Sequence, residues 1–163
     1  MPKPTGEALE KFVAERDRRR EEWLLGDRDA IAFLMMIMQI VEAWDDIVDR
    51  DEQLNETQVN EAFTLALCAL PANPFFRRHS DQFIALFMVM INAWQDANLL
   101  RDDPSRDLRN LGFHLRNMAL ELYCHCALLV GGYAHMRKVS PEIRRFFAFE
   151  SFEDYDREVN HHG

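Results

Sequence analysis

The sequence predicts an all-α protein, a single-domain bundle of about five main helices. Its 163 residues are 48% apolar, enough for one substantial core and too few for two. Only six glycines and six prolines occur, and the prolines lie near the ends of apolar stretches, so long helices with short connections follow. Two apolar, Met-rich segments fifty residues apart also echo each other: Phe33…Ala43-Trp44-Asp45-Asp46 and Phe83…Ala93-Trp94-Gln95-Asp96. Such an echo predicts an internal pseudo-twofold repeat of two helical hairpins, 31–70 and 81–120, with Trp44 and Trp94 as equivalent, buried core anchors.

Thr5 is placed to cap a first helix over Glu7–Leu25 that stops at Gly26 and is anchored by Leu9, Phe12, Val13, Trp23 and Leu24. The middle of this helix is almost all charge, which makes residues 1–27 a peripheral element docked by its ends or held against a partner. Asp27 or Asp29 starts a second helix, Ile31–Asp49, whose first half is apolar all round, the pattern of a central element. Asn55-Glu56-Thr57-Gln58 has the form of a capping box, and Pro71 is expected to end the third helix. Asn73-Pro74-Phe75-Phe76 reads as a turn, with a fourth helix from His79 or Ser80 to about Leu100.

Asp103-Pro104 signals a fifth helix, the longest, running to Val130 and ended or interrupted at Gly131-Gly132. Ser140-Pro141 and Ser151 read as caps of short C-terminal helices. The expected organisation is therefore a peripheral helix (1–27), a core bundle (28–135) and short helices with a frayed tail (136–163), the last including His161-His162.

Acids outnumber bases 28 to 19, for a formal net charge of −9. No nucleic-acid partner is expected, because a phosphate backbone would be repelled. Arg16 and Arg18-Arg19-Arg20 are interleaved with Glu15, Asp17, Glu21 and Glu22, a solvated helix face rather than a basic patch. Cys68, Cys124 and Cys126 are odd in number and lack a CxxC pair, which suggests reduced thiols and no structural zinc. No charge-free apolar stretch reaches the 18–20 residues or so of a membrane span, so no membrane partner and a cytoplasmic location are expected.

The chemistry-bearing feature is the acid cluster that only the first segment carries. At 100° per residue Asp45 shares a face with Leu34, Met38, Val41 and Val48, where an unpaired carboxylate needs a cation, a metal or hydrogen-bond donors. Asp45, Asp46 and Asp49, with Glu42 one turn earlier, are candidate ligands for Mg²⁺ or Mn²⁺. Arginines pairing with these acids and with Asp51 and Glu52 are the alternative. His114, Glu121 and His125 fall along one line of the predicted fifth helix. Glu121 and His125 are either a self-satisfied pair or a candidate general base facing the Asp cluster.

Two resemblances accompany these residues. Asp45-Asp46-Ile47-Val48-Asp49 resembles the DDxxD box of isoprenoid synthases, which implies Mg²⁺ held against a diphosphate, although no second Asp-rich motif follows. Trp44-Asp45-Asp46-Ile47-Val48-Asp49, Asn73-Pro74-Phe75-Phe76, Trp94 and Gly131-Gly132 together resemble small uncharacterised all-α proteins of tailed phages and prophages, which implies a shared fold and origin. The primary expectation is a noncatalytic, acidic α-helical interaction protein, a phage or prophage accessory factor that binds a protein partner or itself. The alternative is a Mg²⁺-dependent enzyme acting on a small phosphorylated or diphosphate ligand.

Overall fold

The two echoed segments form two of the three long helices, and the chain is arranged around them. In the computed structural model, which describes residues 6–49 and 55–161, α1 spans Glu7–Trp23, α2 Arg28–Asp49 and α3 Glu56–Thr64. One π-helical turn, Leu65–Ala69, leads into the short α4, Leu70–Ala72. Then follow α5 (Pro74–Leu100), α6 (Arg106–Arg116), α7 (Ala119–Phe146) and α8 (Phe152–His161). No strand occurs among the described residues, in keeping with the all-α expectation.

Phe33 meets Phe83 with ring centroids 4.3 Å apart, and Trp44 meets Trp94 at 5.7 Å. The two contacts lie eleven residues apart on each helix and in the same order, so α2 and α5 run parallel. In an antiparallel pair, contact at Phe33–Phe83 would carry Trp44 and Trp94 apart by roughly 33 Å, at about 1.5 Å per residue. The returning elements pack alongside: α3 and the π turn against α2, and α6 against α5. Equivalent residues of the echo therefore face one another across the middle of a bundle.

Local chemistry explains the boundaries. Asn55 and Gln58 complete the predicted capping box, Asn55 Oδ1 accepting from the Gln58 N–H at 3.0 Å and Gln58 Oε1 from the Asn55 N–H at 2.9 Å. Pro71 does not end the third helix. It removes the N–H that would bond the Leu67 carbonyl, and the chain takes its π turn immediately before it. Asn73-Pro74-Phe75-Phe76 is likewise a helix start rather than a turn: Asn73 accepts from the Phe76 N–H at 2.9 Å, and Pro74 occupies the first helical position. The buried Asn73 amide also donates to the Asp29 carbonyl at 3.0 Å, fixing this start against that of α2. His79, where the fourth helix was expected to begin, is instead a kink inside α5.

The expected fifth helix is two. Asn117 leaves the helical path at φ −85°, ψ 9°, and the Asn117 and Met118 N–H groups bond three residues back, so α6 ends at Arg116 and α7 begins at Ala119. Gly132 interrupts α7 at φ 76°, a conformation natural to glycine, and the helix resumes through Ser140-Pro141 instead of starting there. The predicted Thr5 cap and the terminal His162 lie outside the described residues.

The core gathers Trp23 and Leu24 of α1, Phe33 and Leu34 of α2, Phe75 and Phe83 of α5, and Leu122, Tyr123 and Ile143 of α7. Helix α1 is docked at both ends, by Phe12 stacking on Phe146 at 5.1 Å and by buried Trp23, whose carbonyl lies 2.8 Å from His135 Nε2. Its charged middle is largely self-paired: Arg18 and Arg19 both bind Glu15, Arg18 reaches Glu22, and Arg19 reaches Glu142 on α7. Arg20 departs from the solvated face, lying buried with Asp17 at 3.2 Å. Helix α8 closes on α6 through Arg109–Asp156 at 2.6 Å and Phe113–Tyr155 at 5.2 Å.

The end of α1 holds a conformational misfit. The Gly26 N–H donates to the Glu21 carbonyl and the Leu25 N–H to that of Glu22, a Schellman closure whose left-handed position falls on Leu25, at φ 52°. Leu25→Gly is expected to stabilise the fold by about 0.5–1 kcal/mol, because the exposed leucine loses little packing while the backbone strain is relieved. Phe33→Ala should cost about 3–5 kcal/mol, and Phe63→Ala, at a ring 59% exposed, under about 1 kcal/mol. Urea midpoints of the three variants check the ranking.

Candidate functional site

Between the parallel α2 and α5 lies a cavity of about 220 Å³. Its walls repeat the fifty-residue offset: Ile37 and Phe87, Ile40 and Met90, Val41 and Ile91, Trp44 and Trp94. Ala66 of the π turn and Leu70 close one side, and Leu115, Arg116, Met118 and Ala119, at the break between α6 and α7, close the other. The π turn and the α6–α7 break thus border the same space. Trp44 is 40% exposed and Trp94 half-buried, so the expectation of two buried tryptophan anchors fails for both; the fully buried tryptophan is Trp23.

Asp45 and Arg116 are the charged residues of the wall. The Arg116 guanidinium lies over the Tyr155 ring, 5.1 Å from its centroid, on the α8 side of the bundle. Asp45 is half-buried and has no hydrogen bond or ion pair among the described residues. The helical wheel therefore placed Asp45 correctly toward the apolar side. Asp46 is half-buried and Glu42 exposed; the side chain of Asp49, and Asp51 and Glu52, lie outside the described residues. Among the described residues no three His, Cys, Asp or Glu side chains converge as a metal site would require.

The candidate base residues sit away from the cavity wall. His114 is on α6, and Glu121 and His125 are on α7, so the predicted single line is broken at Asn117. Glu121 does not pair with His125. Arg144, near the end of α7, binds the Glu121 carboxylate and also donates to Cys124 Sγ at 2.9 Å. Burial raises the Cys124 thiol despite that arginine. His125 packs edge-on against Phe83 at 5.4 Å, and its Nε2 is buried without a hydrogen-bond partner. Desolvation, reinforced by neighbouring His79, holds its pKa below the usual histidine range.

No family model, curated protein or solved structure matches this chain. Its functional assignment accordingly rests on its own surfaces. Besides the cavity, the outer side of α5 stands out. By length and composition this helix could cross a membrane, yet its charge-free run, Gln82–Gln95, is shorter than a span, and it packs on α2, α4 and α6. Only 17% of its most apolar window is buried, and Ile84, Met88, Val89 and Leu99 are exposed. The sequence pattern identified an apolar helix but not the side its neighbours leave uncovered.

Because the folded state favours neutral His125, the unfolded chain binds the extra proton first. Its contribution to stability is present above the ordinary histidine pKa near 6.5 and is lost as the pH falls through that value toward the lowered one. The urea midpoint should therefore fall between pH 7.5 and pH 5.5, both order-of-magnitude bounds around the histidine range. His125→Phe, which keeps the ring contact with Phe83, should flatten that decline.

Proposed function

We propose that this is a noncatalytic α-helical interaction protein whose docking surface is the outer face of α5 and whose partner there is a second copy of the chain. The observation that carries this reading is the exposure of Ile84, Met88 and Val89 over two successive turns of an otherwise core-forming helix. The charged first helix is the weaker candidate, since its arginines are satisfied by its own glutamates and by Glu142.

Charge favours a second copy over an unrelated partner. The apolar turns are flanked by exposed Arg77, Arg78 and Asp81 toward the start of α5, net basic, and by exposed Asp96 toward its end. Arg77 and Arg78 form no ion pair among the described residues. An antiparallel second α5 brings the basic pair of one protomer against Asp96 of the other and covers both apolar patches, which offsets the repulsion between two chains of net charge −9. Under this reading the resemblance to the phage and prophage proteins makes the chain one of their accessory factors, acting in the host cytoplasm.

Sedimentation at micromolar concentration should find a dimer. Met88→Glu with Val89→Glu should weaken association about 100-fold or more while leaving the thermal midpoint of the monomer within a few degrees, because both side chains are exposed. Arg78→Glu should weaken the dimer and Arg78→Glu with Asp96→Arg should restore it. A wild-type monomer, or a charge exchange without rescue, overturns the assignment.

A further inference from the structure

We propose that the cavity between α2 and α5 is a binding site for a single-ring aromatic amine, its ring held against the tryptophan pair and its ammonium at Asp45. The space sets the size of the ligand. A cavity of about 150 Å³ lined by aliphatic and aromatic side chains accepts benzene, and this one, at about 220 Å³, holds one ring with a two-carbon arm. The wall sets the chemistry. Trp44, Trp94 and Phe87 present aromatic faces and edges, and Ile37, Val41 and Met90 supply aliphatic contact.

The wall charge without a partner among the described residues sets the polarity. Asp45 has no partner among the described residues, whereas Arg116, the opposing charge on the wall, is placed over Tyr155. A carboxylate beside two indole rings attracts an ammonium twice over, by charge and by the ring quadrupoles, and repels an acid. The net charge of −9 adds to that discrimination. Access is provided where Trp44 remains 40% exposed, one residue from Asp45.

The room for the ligand is built into the helices. Ala66 in the π turn and Ala119 at the first residue of α7 put methyl groups where larger side chains would fill the space, and each sits at an interruption of regular helix. This site is independent of the α5 outer face, and its occupancy does not require a dimer.

The test is calorimetric titration of the full chain with phenethylamine, phenethyl alcohol and phenylacetate, matched in ring and arm and differing in charge. Phenethylamine should bind one per chain, change the tryptophan fluorescence, and bind at least about tenfold more tightly than either of the others. Asp45→Asn should bring the amine to the affinity of the alcohol and leave the alcohol unchanged. Ala119→Phe should abolish all binding with a cooperative thermal transition retained, and Ala66→Phe serves the same purpose if Ala119→Phe unfolds. The Met88→Glu, Val89→Glu variant should bind phenethylamine like wild type. Equal affinity for amine and alcohol, insensitivity to Asp45→Asn, or no binding of phenethylamine by wild type overturns the proposal.

Discussion

The parallel seam between α2 and α5 is the constraint on which the other elements depend. Two helices separated by a returning element are brought together by Phe33 against Phe83, and Phe75, Phe76 and Phe87 gather around the same ring. Burial of this aromatic cluster is a hydrophobic gain of several kcal/mol, larger than any surface ion pair on the molecule supplies. Once α2 and α5 are parallel, α3 with the π turn and α4 must return between them, and α6 must double back along α5. Asn73 fixes the return by holding the start of α5 to the Asp29 carbonyl at the start of α2. The cavity lies along the seam between the phenylalanine cluster and the tryptophan pair.

Signals carried by a few adjacent residues were legible in the sequence. The Asn55–Gln58 box, the all-round apolar start of α2 and the inward lean of Asp45 all rest on helical spacing and local hydrogen bonds, and the structure places them accordingly. Asn73-Pro74 carried an equally local signal, a capping side chain before a first-position proline, which outweighs its look of a turn. The break at Asn117-Met118 had no glycine or proline to announce it. Its cause is tertiary: α6 follows α5 and α8, whereas α7 turns away to pack on α1 and α2, and a single straight helix could not do both. The Glu121–Arg144 pair was hidden for the same reason, since its members come together across the Gly132 interruption.

The polar groups inside the fold serve placement more than chemistry. Arg20 is buried against Asp17 and beside Tyr123, whose phenol burial pushes upward and Arg20 pulls back. His135 ties α7 to the end of α1, and a Cβ on Gly131 would fall 2.5 Å from the His135 ring, so glycine there is a steric requirement. Arg144 holds Glu121 and Cys124 together. The first two of these links join α1 to α7, and the third joins the two halves of α7 across Gly132. That explains why α1, with a middle made almost entirely of charge, is nevertheless a structural member of the bundle.

The seam also gives a physical reason for the mismatch within the fifty-residue echo. Equivalent residues of parallel helices flank one common axis, and Trp44 and Trp94 approach to 5.7 Å beside it. An acid following each tryptophan would put two carboxylates near a single ring pair, where like charges raise each other's cost, and the arginine of the cavity wall, Arg116, lies over Tyr155. The chain carries one, Asp45, half-buried on the cavity wall, and the neutral Gln95, exposed, at the equivalent place. Asp46 and Asp96, one position further round, are retained in both halves. The rings match where the two helices meet, and the charge on the cavity wall beside them comes from the first segment alone.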